Sequence, residues 1–198
     1  MLASQRGRLG WAALNVVAEK GYQQTTVSDI VKRAEVSRRT FYELFAGKED
    51  CYVAAFEFTV EVVQNMLNSA LQPYTDLDWT ILVQKSLQEY LVILADEPNL
   101  ARALHVEALA VGPALAVHRA GMKKVFVDRM RRVHGIGVAQ GELSGNPREG
   151  VLDLLIGGID DRIRDCIDTT GPQGLPGIAP DLTTAAIALI RASAEPTL

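Results

Sequence analysis

Apolar residues recur every three to four positions along most of the chain, and no segment shows the strict alternation of a half-buried strand. The first such stretch runs from Gln5 to Lys20 and stops at Gly21, a residue that tolerates the left-handed conformation found just after helices. Thr26 and Asp29 form a Thr-x-x-Asp capping pattern that begins a second, short helix reaching Ala34. This spacing predicts an all-α protein.

A third short helix is predicted to follow Ser37, its N-cap. Val36 and Phe41 occupy the two positions of a hydrophobic staple, which sets the direction in which the helix begins. Phe41, Leu44 and Phe45 share one face and should point into the core. The opposite face then carries Arg38, Arg39, Thr40 and Tyr42.

The outward face of this third helix has the chemistry of a DNA-recognition helix. Arginine reads guanine edges bidentately, while hydroxyl groups and helix N-termini hold phosphates. Two short helices joined by a few residues also fit a helix-turn-helix. A lysine in a first helical turn opposes the helix dipole, so an external phosphate is expected to explain Lys48. The predicted DNA contacts are Thr26, Ser37, Arg38, Arg39, Thr40, Tyr42 and Lys48.

Six longer helices are predicted after residue 47, which brings the total to about nine. Their ranges are 48–71, 78–95, 98–111, 113–133, 146–167 and 181–193. The first of them is long, as expected of a helix that connects the three N-terminal helices to the rest of the chain. We therefore expect an N-terminal three-helix DNA-binding domain over residues 1–47 and a larger helical ligand-binding and dimerisation domain over residues 48–198.

Glycine and proline mark the predicted breaks between the later helices. Gly135, Gly137 and Gly141 predict a loop, and residues 171–180 predict a linker. Asn146 is the predicted cap of the helix that ends near residue 167. Pro147 then occupies the first turn of that helix, and Glu149 is the predicted acid of a capping box.

The net charge of −4 argues against a nucleic-acid binder until its distribution is considered. Residues 1–50 hold 8 basic and 6 acidic side chains, whereas residues 51–198 hold 12 and 18. The basic excess therefore lies at the end that carries the predicted recognition helix. No apolar run approaches the length of a membrane span and no secretory leader is seen, so we expect a cytoplasmic protein without a membrane partner.

The segment over residues 9–52 resembles the N-terminal domain of the TetR family. The matching residues are Ala18-Glu19-Lys20-Gly21-Tyr22, Thr25-Thr26-Val27, Asp29-Ile30, Ala34, Val36-Ser37, Thr40-Phe41-Tyr42, Phe45 and Lys48-Glu49-Asp50. The resemblance implies three DNA-binding helices, a fourth that links them to a helical domain, and dimerisation through the last two long helices. Glu35 stands where the family usually has a turn glycine, and it should adopt the turn conformation at some cost. Gly47 replaces the usual serine and is still an acceptable cap.

Two glycines interrupt the apolar run of the penultimate helix, where each costs about 1 kcal/mol relative to alanine. Close approach of a second subunit and close packing within one chain both account for them, and the resemblance favours the dimer. A two-fold dimer would require a palindromic operator. The predicted dimerisation residues are Leu155, Gly157, Gly158, Ile159, Ile163, Leu182, Ala186 and Leu189.

A ligand pocket is predicted among aromatic and aliphatic residues of the middle helices. Its candidate residues are Phe56, Tyr90, Leu94, Leu104, Glu107, Ala108, Phe126 and Met130. Glu107 would hydrogen-bond the ligand, although surface exposure of this carboxylate is the favoured interpretation. The basic residues of the helix over 113–133 are interpreted as a solvated face rather than a second anion site; they are Lys123, Lys124, Arg129, Arg131 and Arg132.

The predicted function is a transcriptional repressor that binds double-stranded operator DNA as a homodimer and is released by a small apolar or amphipathic effector. One alternative is a DNA-binding regulator without a ligand, either an activator or one controlled by a protein partner. The other is an enzyme with Glu107 or a histidine as acid or base, for which no catalytic order or phosphate loop is present. The triplet His105-Val106-Glu107 has no following Pro-Cys-x-x-Cys, so neither a metal site nor a cofactor is expected.

Overall fold

The computed structural model describes residues 4–74 and 77–193. In these ranges the structure is built from helices, which confirms the all-α prediction. The α-helices are α1 (Gln5–Lys20), α2 (Val27–Ala34), α3 (Arg38–Leu44), α4 (Lys48–Leu71), α5 (Trp79–Asp96), α6 (Pro98–His105), α7 (Pro113–Ala139), α8 (Glu149–Thr169) and α9 (Ala179–Ala192). Three 3-10 helices span Gln72–Tyr74, Glu107–Leu109 and Pro172–Ile178. None of these helices, as far as the described ranges go, is long and apolar enough to cross a membrane.

The first four helices have the predicted bounds because their end signals are local. Gly21 closes α1 at a φ of 85°, and its N–H bonds to the carbonyl of Val17. Thr26 caps α2 through a complete capping box, and Ser37 caps α3. Each of these bonds satisfies a backbone group that a helix end would otherwise leave unpaired.

The single helix predicted over 98–111 was wrong. α6 ends at His105, and the chain continues as the 3-10 helix Glu107–Leu109. Glu107 is buried with only 8% of its surface exposed, and its carboxylate accepts a hydrogen bond from the backbone N–H of Tyr22. A long-range bond of this kind is not visible in local periodicity, which is why the break was missed.

The loop predicted at Gly135 and Gly137 was also wrong, because α7 continues to Ala139. A Cβ on Gly137 would lie 2.6 Å from Cδ1 of Leu143 and 3.1 Å from Trp79. This glycine therefore makes room for packing rather than ending the helix. The turn comes at Gly141, where φ is 78°.

The last two helices begin at other residues than predicted. α8 is capped by Arg148, whose N–H bonds to the carbonyl of Ser193, so Asn146 is not its cap and Glu149 forms no capping box. The segment predicted as a linker holds a 3-10 helix with Leu175 fully buried, and α9 begins at Ala179 instead of Asp181. Burial of an apolar side chain orders this segment despite its glycines and prolines.

The described chain forms two compact units. The first combines residues up to 63 with residues 97–119, and in it α1 packs against α2 and α6. Its core holds Leu9, Ala12, Ala13, Ile30, Val31, Ala34, Phe41, Phe45 and Cys51. The second combines residues 64–96 with those from 120 onward, and in it α9 packs against α5 and α8. A functional boundary after residue 47 stays a prediction.

Candidate nucleic-acid interface

The start of α2 is held by a network that occupies its capping side chains. Oγ1 of Thr26 accepts from the N–H of Asp29 at 3.2 Å and donates to Oδ2 of Asp29 at 2.5 Å. Lys20 lies 2.5 Å from the same carboxylate, and its hydrogen bond, followed by those from Thr26, holds the pKa of Asp29 well below its usual range. The Thr26 hydroxyl is therefore already used in both directions, and the free N–H groups at the start of α2 are what this end offers a phosphate.

The turn between α2 and α3 passes through Glu35 in the left-handed conformation, at φ 53° and ψ 45°. Glu35 is the single non-glycine residue with a positive φ in the described part of the chain, as expected where a turn glycine is replaced. After it, the N–H of Val36 bonds to the carbonyl of Val31 at 3.1 Å. The short turn brings the N-terminus of α3 close behind α2, as a helix-turn-helix requires.

Both ends of α3 are anchored. Oγ of Ser37 accepts from the N–H of Thr40 at 3.0 Å, and Phe41 and Phe45 are buried with their ring centroids 5.8 Å apart. At the other end, Nη1 of Arg6 donates to the carbonyl of Leu44 at 3.1 Å, and the guanidinium lies 4.5 Å from the Phe45 ring centroid. The role of Arg6 was not predicted, because its partner lies 38 residues away.

The outward face of α3 carries the predicted contacts. Arg38 is exposed and has no hydrogen bond or ion pair to any described residue. The Arg39 side chain is 89% exposed and pairs with Glu43 one turn later, at 2.9 Å. Such exposed pairs contribute only about 0–1 kcal/mol, so Arg39 can leave Glu43 for DNA. Tyr42 is 54% exposed and its ring packs edge-on against Phe41. Two arginines and a tyrosine therefore share one accessible surface.

Lys48 has internal partners in the first unit. Its Nζ donates to the carbonyl of Tyr22 at 2.7 Å and lies 4.2 Å from the centroid of the Tyr22 ring. Partial burial lowers the pKa of this ammonium. These contacts by themselves account for a lysine in the first turn of α4, so an external phosphate is not needed to explain its placement. Its contact with a DNA phosphate stays a prediction.

Tyr22 is also held from α6 and the 3-10 helix that follows it, which the sequence did not indicate. Its N–H donates to Oε2 of Glu107 at 2.9 Å, and Oε1 of Glu107 lies 3.4 Å from Nη2 of Arg102. Next along the chain, Nε2 of Gln23 donates to the carbonyl of Ala110 at 2.9 Å. We call Tyr22, Lys48 and Glu107 the Tyr22 corner. It ties the end of α1, the start of α4 and the segment after α6 into one hydrogen-bonded cluster.

A family model described as "Bacterial regulatory proteins, tetR family" matches residues 11–55, the segment that runs from α1 through the helix-turn-helix into α4. The chain is a TetR-family transcriptional regulator. The geometry of α2 and α3 agrees with this assignment, since α3 is capped, buried on one face and basic on the other.

Relatives of this TetR-family regulator are similar along most of its length. It is 27% identical over 158 residues to the fatty acid metabolism regulator protein of Bacillus subtilis (strain 168), covering 77% of this chain and 78% of that protein. The fatty acid degradation regulator FadR of Bacillus halodurans has a similar fold, with a TM-score of 0.77 and 19% identity over 94% of this chain and 96% of that one. For FadR of Bacillus subtilis in complex with stearoyl-CoA, the TM-score is 0.76 at 20% identity, over 95% and 98% of the two chains.

The residues predicted to bind a ligand divide between the two units of the TetR-family chain. Phe56, Leu104, Glu107 and Ala108 belong to the first unit, and Tyr90, Leu94, Phe126 and Met130 to the second. The surface exposure favoured for Glu107 was wrong, and both of its carboxylate oxygens already have partners in the first unit. In the second unit the rings of Tyr90 and Phe126 are in contact, with centroids 4.9 Å apart. The ligand role of these residues stays a prediction.

Apart from Leu189, which is half-buried on α9, the predicted dimerisation residues are of two kinds. Five of them are buried inside the second unit, so their side chains pack in their own subunit: Leu155, Ile159, Ile163, Leu182 and Ala186. Gly158 is exposed, and a Cβ placed on it would meet nothing within 4 Å, while one on Gly157 would meet only the end of Lys123 at 3.8 Å. Packing within the described chain therefore does not require these glycines.

Leu154, which was not among the predicted dimerisation residues, is 67% exposed and lies one turn before Gly158. The i, i+4 spacing of these two residues, opposite the buried apolar positions of α8, was the available signal. The exposed face of α8 thus carries a large apolar side chain at Leu154 and, one turn later, a backbone without a side chain at Gly158.

Proposed function

We propose that this TetR-family regulator is a repressor that binds a palindromic operator as a homodimer and is released by a small amphipathic effector. The observation that carries the DNA-binding part is the α3 face, on which Arg38, Arg39 and Tyr42 are accessible while Phe41 and Phe45 anchor the helix. A protein of this kind acts on DNA in the cytoplasm and has no catalytic role.

Within this proposal, α3 enters the major groove. Arg38 and Arg39 have the donors to read base edges. Arg39 loses little free energy when it leaves its exposed ion pair with Glu43 to bind a guanine. Ser37 and Thr40 lie at the N-terminus of α3, where N–H groups and hydroxyls suit phosphates, and the N-terminus of α2 offers N–H groups in the same way. Lys48 supplies positive charge at the start of α4.

The dimer is proposed to form through the exposed faces of α8 and α9. Leu154 and Gly158 are accessible on α8, and Leu189 is half-buried on α9. Burial of exposed apolar surface drives association, and a glycine lets two backbones come close. Two-fold symmetry would place the recognition helices about 34–36 Å apart on one face of the duplex.

The effector is proposed to be a long-chain acyl-CoA or a similar amphipathic acid, bound by the domain over residues 48–198. The support is the similarity to the fatty acid metabolism regulator protein of Bacillus subtilis and, in fold, to FadR of Bacillus subtilis, whose structure holds stearoyl-CoA. The aromatic pair of buried Tyr90 and half-buried Phe126, with Leu94 and Met130, offers apolar contacts for a chain. An effector that binds more tightly to the DNA-free conformer releases the operator by linkage, and a shift from 1:99 to 99:1 needs about 5.5 kcal/mol of differential affinity.

The DNA-binding part is tested with sites selected from random double-stranded DNA, followed by fluorescence anisotropy on the best site. Arg39→Ala should weaken operator binding by about tenfold or more and relax the preference for one base pair. Lys124→Ala is the matched control, because Lys124 is also exposed and forms the same kind of i, i+4 pair on α7. Equal affinity of Arg39→Ala and wild type would place the DNA surface elsewhere.

The effector part is tested by titrating stearoyl-CoA into the operator complex. Release of DNA at micromolar ligand would support the proposal. Binding of stearoyl-CoA without any change in operator affinity would exclude it as the effector. Selected sites without inverted symmetry would contradict the dimeric arrangement.

A further inference from the structure

The basic residues of α7 are not equivalent. Three of them are neutralised by acids within the second unit: Lys123 lies 3.3 Å from Asp153, Lys124 3.3 Å from Asp128, and Arg131 pairs with Asp128 and Glu149. For these three the interpretation as an ordinary charged surface is sufficient.

Arg129 differs from them. Its Nη2 donates to Oδ1 of Asn68 at 2.5 Å, and Nε is shielded from solvent without any hydrogen-bond partner. Among the described residues no carboxylate lies within ion-pair distance of this guanidinium. Burial, and next the charge of Arg132, lower the pKa of Arg129.

An arginine in this state lacks the partner that buried charges normally have. A neutral amide oxygen accepts a hydrogen bond but supplies no opposite charge, and a buried donor left unpaired is costly. The planar guanidinium is suited to bidentate contact with a carboxylate or a phosphate. Arg132, one turn of helix away from the ion-paired Asp128, also has no acid partner in the described chain.

The surroundings of Arg129 are apolar on one side. Phe126 precedes it by three positions, on the same face of α7, and packs against Tyr90. Met130 follows it directly and is buried. A ligand with an apolar chain and an anionic group would therefore find both kinds of contact along one short stretch of helix.

We propose that Arg129, assisted by Arg132, binds the anionic group of the effector, either a phosphate of an acyl-CoA or the carboxylate of a free fatty acid. This rests on the proposed function for the choice of acyl compounds. An oxygen of that group accepts from the guanidinium of Arg129 and supplies the missing negative charge.

Isothermal titration of the full-length protein with stearoyl-CoA, stearate and CoA tests this assignment. Arg129→Gln keeps a donor for Asn68 and removes the charge, so the affinity for the preferred acyl compound should fall by about 10- to 100-fold. Lys124→Gln removes one charge from the same helix and should stay within about twofold of wild type. A loss for stearoyl-CoA and CoA assigns the phosphate, and a loss for stearate assigns the carboxylate.

Operator affinity without effector, together with circular dichroism, checks that Arg129→Gln is folded. If that variant does not fold, Arg132→Gln at its exposed position decides, with an expected weakening of several-fold. Unchanged acyl affinity in the folded variants overturns the assignment. If the wild-type protein binds operator but none of the acyl compounds, the proposed effector class fails. A titration with inorganic pyrophosphate then tests the anion site separately. The site is upheld if wild type binds pyrophosphate and Arg129→Gln does not, and it is rejected if wild type does not bind pyrophosphate.

Discussion

Replacement of Glu107 is the sharpest test of how the helix-turn-helix is held in place. Glu107 and Tyr22 are both buried, and the carboxylate is the acceptor that the Tyr22 N–H has in the described structure. Glu107→Ala leaves that N–H unsatisfied, at a cost of about 1–3 kcal/mol. Loss of the contact with Arg102, whose side chain is 39% exposed, adds at most about 1 kcal/mol. The expected loss in free energy of unfolding is therefore about 1–4 kcal/mol.

Glu107→Gln separates the hydrogen bond from the charge. The amide oxygen can still accept from Tyr22, so only the contact with Arg102 is weakened and the loss should be about 1 kcal/mol or less. Glu57→Ala is the surface control, since Glu57 is an exposed acid paired with His118 in the same unit. It should change stability by no more than about 1 kcal/mol.

The assay is urea unfolding followed by circular dichroism at one fixed protein concentration, because association changes apparent stability. The midpoint should fall in the order wild type, Glu107→Gln, Glu107→Ala, with an unchanged slope. Operator affinity should fall in the same order, because the Tyr22 corner positions the start of α4 and the end of α1. If Glu107→Ala were as stable as Glu57→Ala, the Tyr22 N–H would have another acceptor and the reasoning would fail.

Three further predictions concern Lys48, the dimer face and His134. Lys48→Ala should weaken binding to all DNA sequences and reduce the magnitude of the slope of log affinity against log salt concentration by about 0.9. A slope equal to that of wild type would show that Lys48 contacts only Tyr22 and no phosphate. Leu154→Lys and Gly158→Phe should each give a monomer in analytical ultracentrifugation. Their circular dichroism should be unchanged, because neither position is needed for packing within the described chain. A dimer that persists in both variants would refute the α8 interface. Burial lowers the pKa of His134 in the folded protein below the ordinary histidine value of about 6.5. Below that pH the unfolded chain binds a proton at His134 more readily than the folded protein does. The free energy of unfolding should therefore fall as the pH drops below about 6.5, by up to about 1.4 kcal/mol per pH unit. His134→Gln should remove this part of the pH dependence in urea titrations between pH 7 and 5, and parallel curves for the two proteins would contradict it.

Local signals were enough to predict the first four helices. Caps, staples and terminal glycines act within one or two turns, so Thr26, Ser37 and Gly21 mark helix ends whatever surrounds them. The exposed face of α3 followed from the same periodicity. For this reason the residues predicted to contact DNA could be named before any tertiary contact was known.

The sequence was less informative where a buried partner overrides local preference. Leu175 orders a segment rich in glycine and proline, and Leu143 explains a glycine inside α7. Apart from two glycines, the residues predicted for dimerisation were apolar residues of α8 and α9, and five of these six are buried inside their own subunit. Apolar character alone cannot tell a core position from an interface position, since burial drives both.

By itself, the sequence determined the all-α class, the helix-turn-helix and the basic face of α3, because each depends on contacts between residues close in the chain. Only the tertiary structure decided the partners of Glu107, Lys48 and Arg129. Long side chains find acceptors or charges dozens of residues away, or find none, and that outcome depends on which helices pack together. The contacts of Glu107 and Lys48 join the end of α1 to the start of α4 and to the segment after α6. In the described part of the second unit, Arg129 is the partly buried guanidinium whose Nε has no hydrogen-bond partner.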